Sequence, residues 1–456
     1  MIGRATATCA RLAAVLTICG ALVAGTIPAA AQEIAPEQRA ELEALFQKIL
    51  QNPTDLDTNY EYAQLAAEYG DYEASITAYE RLLLFNPDLP RVKAELGVMY
   101  YRLGSLDTAR AYLEQARNEG DPPPEVVARL DSILEKIDEQ QNPHKFTSSL
   151  SFGLRYQSNA NFGPEGQILI FDTLVDPDSQ TQADDDVNAF ASITGRYVYD
   201  MGDDSGDFFK VESTLYAARQ LTVTELDVEQ LQIKAGPGFN IYPKTEGPIL
   251  FQPSLRFTYV RLDNEGYNLS AGGEFRTDWR VKPDTGLFVG GFAELRSYDE
   301  TGERQNADTQ DGGAVRFTFG ANHRLNPTTS LRGAVFAGKI FAKDEAETYS
   351  ERGGLVGLSA LLDSPVEPTE LLPDIDKQWN LSINARFTNR THDAANVLVS
   401  TNKREDDDIR IDTTLSVPIA PSWTMFGTFG MQDNSSTIVN NDFENFSFAL
   451  GANVRF

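Results

Sequence analysis

Three histidines, His144, His323 and His392, are all the imidazole this chain of 456 residues carries. None stands at metal-ligand spacing from another. A hydrolytic site needs a histidine beside a nucleophile or carboxylate, and Thr391-His392-Asp393 is the one local run of that kind. It falls in a stretch read as a link between strands, where a solvated loop accounts for it better than a site does. Asp184-Asp185-Asp186 and Asp406-Asp407-Asp408 offer oxygen ligands of the sort calcium takes. Neither has calcium-loop spacing, so both read as solvated charge runs. With no glycine-rich phosphate loop and no haem-attachment motif, the expectation is no enzyme, no cofactor and no metal.

The arginines are more informative. Arg155, Arg196, Arg256, Arg276, Arg316, Arg386 and Arg410 occupy the parity opposite to the aromatic residues in segments that alternate with period two. Glu212, Glu274, Asp278, Glu294 and Asp412 share it. A strand turns successive side chains to opposite faces, so these groups fall on one face of a sheet. Arginine grips carboxylates in a two-pronged, directional way, which suits a structural ladder. The same face also suits a polar wall along which a polymer or polypeptide slides.

The elements that must position them begin at Lys145, where the apolar period changes to two. The closing segment alternates Phe446, Phe448, Leu450, Ala452, Val454 and Phe456 against Asn445, Ser447, Gly451, Asn453 and Arg455. Ten further segments read as strands: 146–156, 187–199, 209–217, 249–259, 267–279, 287–295, 315–321, 379–387, 409–417 and 423–431. Weaker candidates surround Leu231, Val335 and Leu355. The total is about 14 strands at roughly 22 residues each, the spacing of a transmembrane β-barrel. No second apolar layer remains to cover the aromatic faces, and an open sheet edge is not viable in lipid.

Turn lengths agree with an even-stranded barrel. Short turns at 201–206, 244–247, 282–285, 326–329 and 420–422 alternate with long links at 157–186, 299–313, 389–408 and 433–442. The segment Asp363 to Lys377 is long where a short turn is due. Either the strand count slips there or one inner link is large.

Residues 32–142 read as helices carrying a repeat. Asn52-Pro53 returns as Asn86-Pro87 and Gly70 as Gly104, each 34 residues on, the tetratricopeptide period. Ala63, Gly97, Ser75 and Ala109 are small where helices must touch. Pro53, Pro87 and Pro122 end units, and 125–141 reads as a capping helix. Tyr60, Gln64, Glu68, Arg91, Val98 and Tyr101 would line the concave face, with Tyr60, Gln64, Arg91 and Tyr101 the candidate cargo-binding groove.

Arg4, Arg11, the apolar stretch 12–27 and Ala29-Ala30-Ala31 have the form of a cleaved signal peptide over 1–31. Cys9 and Cys19 are the chain's only cysteines, so residues 32–456 hold neither disulfide nor thiol site. The formal net charge is −28. Without the two leader arginines it becomes −30, with 37 basic against 67 acidic residues. Such a surface argues against nucleic acid as a partner, since its binders are basic.

Tyr156-Gln157-Ser158-Asn159-Ala160-Asn161, directly after the first strand, resembles the opening of the barrel in the surface lipoprotein assembly modifier family. Members join a periplasmic tetratricopeptide domain to an outer-membrane barrel of 14 strands. The resemblance implies an α-solenoid (32–142) followed by a transmembrane antiparallel barrel (143–456), seated in the outer membrane of a Gram-negative cell. It implies a translocon for surface lipoproteins or soluble secreted binding proteins, with the repeats engaging cargo or periplasmic chaperones. Gly451-x-x-Val454-x-Phe456 is similar to the signal read by the β-barrel assembly machinery. A polysaccharide-export porin or a nutrient porin with a periplasmic docking domain is the alternative.

Overall fold

The computed structural model describes residues 36–119, 122–176, 181–202, 205–241, 247–302 and 304–456. The leader (1–31), Asp121 and most of the 244–247 turn lie outside them. Two units divide the chain near Asn142, one helical and one a barrel.

The helical unit holds α1 (Pro36–Gln51), α2 (Leu56–Glu68), α3 (Tyr72–Phe85), α4 (Pro90–Arg102), α5 (Leu106–Asn118) and α6 (Pro124–Gln141). Local chemistry sets the boundaries. Asp55 caps α2 by accepting from the backbone N–H of Asp57 and Thr58, and Asp71 caps α3 by accepting from Ala74. Pro90 and Pro124 begin their helices, where a missing N–H costs nothing. Gly70 and Gly104 turn α2 into α3 and α4 into α5 at φ +83° and +78°, a region that disfavours side chains.

The small residues do what the repeat requires of them. A Cβ on Gly97 would lie 2.5 Å from Leu113 Cγ, so α4 and α5 touch only because that position is glycine. One period earlier, Ser75 Oγ donates to the Ala63 carbonyl at 2.8 Å, tying α2 to α3. Leu96, Ala109, Leu113 and Ile137 are fully enclosed in the resulting core. Leu130, Leu134 and Ile137 form the stripe by which α6 closes the stack. This is a tetratricopeptide-like pair of hairpins flanked by one helix at either end.

The second unit is a closed antiparallel barrel of fourteen strands: β1 (His144–Gln157), then β4 (Asp186–Asp200) through β16 (Phe443–Arg455). In between lie β5 (Phe208–Gln220), β6 (Val228–Ile241), β7 (Ile249–Leu262), β8 (Glu265–Lys282), β9 (Thr285–Tyr298), β10 (Gly312–Asn326) and β11 (Thr329–Ala342). β12 (Tyr349–Leu362), β13 (Trp379–His392), β14 (Glu405–Ala420) and β15 (Trp423–Ser436) complete the wall. β2 (Ile168–Ile170) and β3 (Thr173–Val175) form a separate hairpin within the first outer loop. Closure is made by β1 against β16, with Leu150 opposite Val454 and Leu154 opposite Leu450. The pairing leaves no sheet edge, the condition for crossing lipid with strands.

The outward face confirms the solvent. Leu154, Leu255, Leu295, Phe317 and Val335 are 60%, 73%, 76%, 61% and 61% exposed. Such a ring of bare apolar side chains is stable against acyl chains and not against water. Trp279, Trp379 and Trp423 all sit on this face at the rim where the chain enters, an aromatic girdle. No described helix is long and apolar enough to cross a membrane.

The 363–378 segment joins β12 to β13 at the inner rim, so the strand count stands and the link is large. It folds back on the wall: Asp374 N–H donates to the Ile419 carbonyl and Trp379 Nε1 to the Ile375 carbonyl. The outer links are shorter than their spacing in sequence implied, because the strands extend further at both ends. The β7–β8 link is a two-residue turn, Asp263-Asn264, both at positive φ.

Candidate functional site

The inner face of the barrel carries all seven arginines, and five of them, Arg196, Arg256, Arg276, Arg316 and Arg410, meet carboxylates there. Side chains two strands apart can meet only on the concave side of a cylinder, and here they do. Arg256 of β7 reaches Glu294 of β9 at 3.0 Å, as a charge contact and not a directed hydrogen bond. Arg316 of β10 reaches Glu351 of β12 at 2.5 Å. In each row the strand between carries a glycine in register, Gly272 or Gly338. A Cβ on Gly272 would stand 2.6 Å from Glu294 Cβ, and one on Gly338 3.0 Å from Glu351 Oε1. The glycines are therefore part of the ladder; the sequence pattern misses them, and it misses Glu351 because β12 is only weakly marked.

The other pairs lie within one strand or between neighbours, except Lys234–Glu274, which again skips a strand, from β6 to β8. Arg196 lies 4.0 Å from Glu212, Arg276 2.6 Å from Asp278, and Arg410 2.9 Å from Asp412. Glu274 takes Lys234 at 3.0 Å and Arg256 at 3.7 Å. Phenylalanines separate the guanidiniums. Arg256 and Arg316 flank Phe292 at 4.5 and 5.7 Å, Arg316 and Arg386 flank Phe336 at 5.2 and 4.8 Å, and Arg276 and Arg332 flank Phe288 at 4.5 and 5.1 Å. Each cation rests on a ring face, which spaces like charges apart. Arg155 stacks on Phe190 at 5.0 Å.

Two sequence expectations are corrected here. His392 is not in a solvated loop: it ends β13, is 5% exposed, contacts the Ala346 carbonyl through Nδ1 at 2.6 Å and packs on Tyr349. Its neighbour Asp393 pairs with Lys339 at 2.7 Å. The acidic runs are solvated only in part: Asp184 and Asp185 are exposed, but Asp186 opens β4, and β14 starts earlier than the hydrophobic pattern shows, so Asp186, Asp406 and Asp408 turn inward and are buried. Asp186 accepts from Thr222 and Val223 N–H at 3.1 and 2.9 Å. Asp406 is buried between Arg404 and Ser436 Oγ, and Asp408 accepts from Gln432 Nε2 at 2.7 Å. Among the described residues no three His, Cys, Asp or Glu groups converge as metal ligands do.

The Ser-Asn-x-Asn run anchors a lid. Ser158 Oγ accepts from Phe446 N–H on β16, and buried Asn159 donates to the Gly163 and Glu444 carbonyls. Asn161 accepts from Gly163 and Asp184 N–H, drawing the far end of the loop back to the rim. The β2–β3 hairpin then crosses to other loops. Leu169 exchanges backbone groups with the Asn440 amide at 2.7 and 3.0 Å. At its tip, Phe171 and Asp172 N–H donate to the Leu398 and Val399 carbonyls. Asp172 accepts from Ser400 Oγ at 2.5 Å, Thr401 Oγ1 at 2.8 Å and Thr401 N–H. The first loop thus bridges from the β1 rim to the β13–β14 and β15–β16 loops.

On the helical unit, Arg91 of α4 lies over the Tyr60 ring of α2 at 5.2 Å, and Gln64 donates to Tyr60 OH at 3.3 Å. Tyr60 also meets Tyr79 edge-on at 5.7 Å, and burial pushes its phenol up, so it stays a neutral donor. These three residues form one contact set with Gln64 and Arg91 exposed. Tyr101 is instead tied to Gln140 of α6 at 3.2 Å, and Glu68 is exposed. Val98, expected on the concave face, lies in the core at 9% exposure. A second arginine–tyrosine pair, Arg102 over Tyr72 at 5.3 Å, has no match one period away and could not be found by repeat logic.

At the closing strand, Gly451 faces inward, where a Cβ would meet Phe426 Cζ at 2.6 Å. Val454 is buried and Phe456 is 73% exposed, its N–H donating to the Ser148 carbonyl at 2.9 Å.

No family model matches the chain, and no curated protein does. Among solved structures, the type III secretion translocator chaperone SycD of Yersinia enterocolitica is 18% identical, covering 23% of this chain and 74% of its own, at a TM-score of 0.22. The anion-selective porin from Comamonas acidovorans is 9% identical over 69% of this chain and 99% of its own, TM-score 0.34. OmpT, an outer membrane protein of Vibrio cholerae, is 10% identical over 69% and 97%, TM-score 0.35.

Proposed function

We propose that this protein is a non-enzymatic outer-membrane translocon whose repeat unit, in the periplasm, captures protein cargo before the barrel handles it. The observation that carries this is the Tyr60–Gln64–Arg91 set: an arginine stacked on a tyrosine beside an exposed amide, raised on two helices of a repeat scaffold. Residues of these types concentrate binding energy at protein interfaces, and a scaffold of stacked hairpins suits an extended segment. The membrane-type barrel joined to it in one chain supplies the route or the folding surface. Arginine–glutamate rows line one side of the lumen, a polar wall along which an extended segment could slide.

The resemblance of Tyr156 to Asn161 to the surface lipoprotein assembly modifier family favours lipoproteins or secreted binding proteins as cargo, with periplasmic chaperones as escorts. On this reading residues 1–31 are the removed leader, and Gly451, Val454 and Phe456 present the closing strand to the barrel assembly machinery. The second reading is a porin with a docking domain, favoured by the polar, arginine-rich lumen.

Alanine at Tyr60, Arg91 and Tyr101 together separates the two. Intact cells of the deletion strain, complemented with either form, are shaved with protease and the released peptides identified. Surface proteins lost on deletion should return with the native chain and stay absent with the triple variant at equal barrel levels. Equal restoration by both would reject the docking face.

A further inference from the structure

The inner wall is not uniform around its circumference. From β7 to β13 it is packed: Phe288 and Phe336, which face inward, are 3% and 7% exposed, and Glu351 is 4% exposed. Inward groups that dry are covered by one another, through the rings and guanidiniums between them. From β14 through β16 and β1 to β6 the inward positions include a set of short hydroxylated residues, Ser149, Thr194, Thr214, Thr414, Thr428 and Ser447, among longer polar ones. Open space follows those residues. A cavity of about 530 Å³ at the inner end is bordered by Ser149, Thr194, Arg196, Thr214, Lys234 and Arg455. A second of about 240 Å³ toward the outer end is bordered by Arg155, Gln157, Phe190, Arg410, Thr428 and Ser447.

Each cavity has one acidic side chain on its wall, Glu212 below and Asp412 above, already paired with Arg196 and Arg410, and one further guanidinium left over. Arg155 above and Arg455 below have no acidic group within ion-pair distance among the described residues, whereas Arg196 and Arg410 beside them do. Both belong to the strands that close the barrel, β1 and β16. An uncompensated cation in a narrow, water-filled space with low-dielectric walls concentrates anions there. The hydroxyls and amides opposite can replace part of an anion's hydration without competing for the arginine.

We propose that the β14–β6 half of the lumen is an anion-selective path for small inorganic and carboxylate anions, with Arg155 as its outer selectivity residue. Phe162 of the first loop borders the upper cavity, so the lid lies over this half. The proposal is independent of the cargo reading, because current and surface display are read in separate assays and either can fail alone.

The test is the reversal potential of the full-length protein in a planar bilayer under a potassium chloride gradient. The native barrel should favour chloride, and Arg155→Glu should raise the potassium-to-chloride permeability ratio several-fold. Arg386→Gln, in the packed half, should leave the ratio where it was. Single cysteines add a second readout, since the only others are Cys9 and Cys19. A bulky anionic thiol reagent should cut the current through a Thr194→Cys barrel by half or more and spare an Ala334→Cys barrel. Cation preference in the native barrel, no current even with the lid released by Asp172→Asn, or a selectivity that Arg155→Glu does not move would each overturn the proposal.

Discussion

Asp172 shows how much one side chain can do at the mouth. Hydrogen bonds from Ser400 and then Thr401 hold its carboxyl below the ordinary value of 3.8. A carboxylate whose pKa is depressed by its folded contacts stabilises them above its unfolded value, and that contribution is lost as pH falls through the folded one. The clasp is therefore intact at neutral pH and opens only below the usual carboxylate range. Asp172→Ala should mimic that opening at pH 7: protease added to whole cells should cut between residues 158 and 185 several-fold faster than in the native protein. Equal rates would show that Leu169 and Asn440 hold the lid alone. None of this was legible in the sequence, since Asp172 and Thr401 lie 229 residues apart. The Ser-Asn-x-Asn run stands out in the sequence only by resemblance, and its contacts reveal an anchor. His392 was misread for the related reason that strand ends are poorly marked: polar residues facing inward look like a loop.

At the scale of elements, the repeat was readable because two units use the same residue types for the same steric reason. Gly97 and Leu113 are the sharpest case, one absent side chain receiving the other. Leu113→Ala should destabilise the helical unit by about 2–5 kcal/mol, the usual range for emptying an enclosed leucine site. Far-UV dichroism at the helical minimum should show that unit melting at lower temperature while the barrel signal persists. An unchanged helical melt would mean the α4–α5 contact carries little of the stability. The strands were readable from alternation, and their order follows from hairpin connectivity. What alternation cannot supply is the glycine in the middle of each Arg–Gly–Glu row, because register across three strands is a property of the assembled sheet. Removing Glu351 would leave Arg316 without a carboxylate, a loss of at most roughly 3–5 kcal/mol, whereas Arg256 would keep Glu274 if Glu294 were removed.

At the scale of the molecule, a chain of net charge −28 turns unpaired arginines inward along part of its lumen and apolar side chains outward. The acidic excess reflects the whole chain and says little about the inner wall, so composition argues against nucleic acid and does not bear on the proposed anion path. Lid, ladder, open half and docking face have their meaning only if the fourteen strands close in lipid. Heat-modifiability tests that claim most directly. Extracted in mild detergent and run on a denaturing gel unboiled, the barrel should stay closed and migrate ahead of the boiled chain. A single band at the same position with and without boiling would contradict the closed transmembrane barrel.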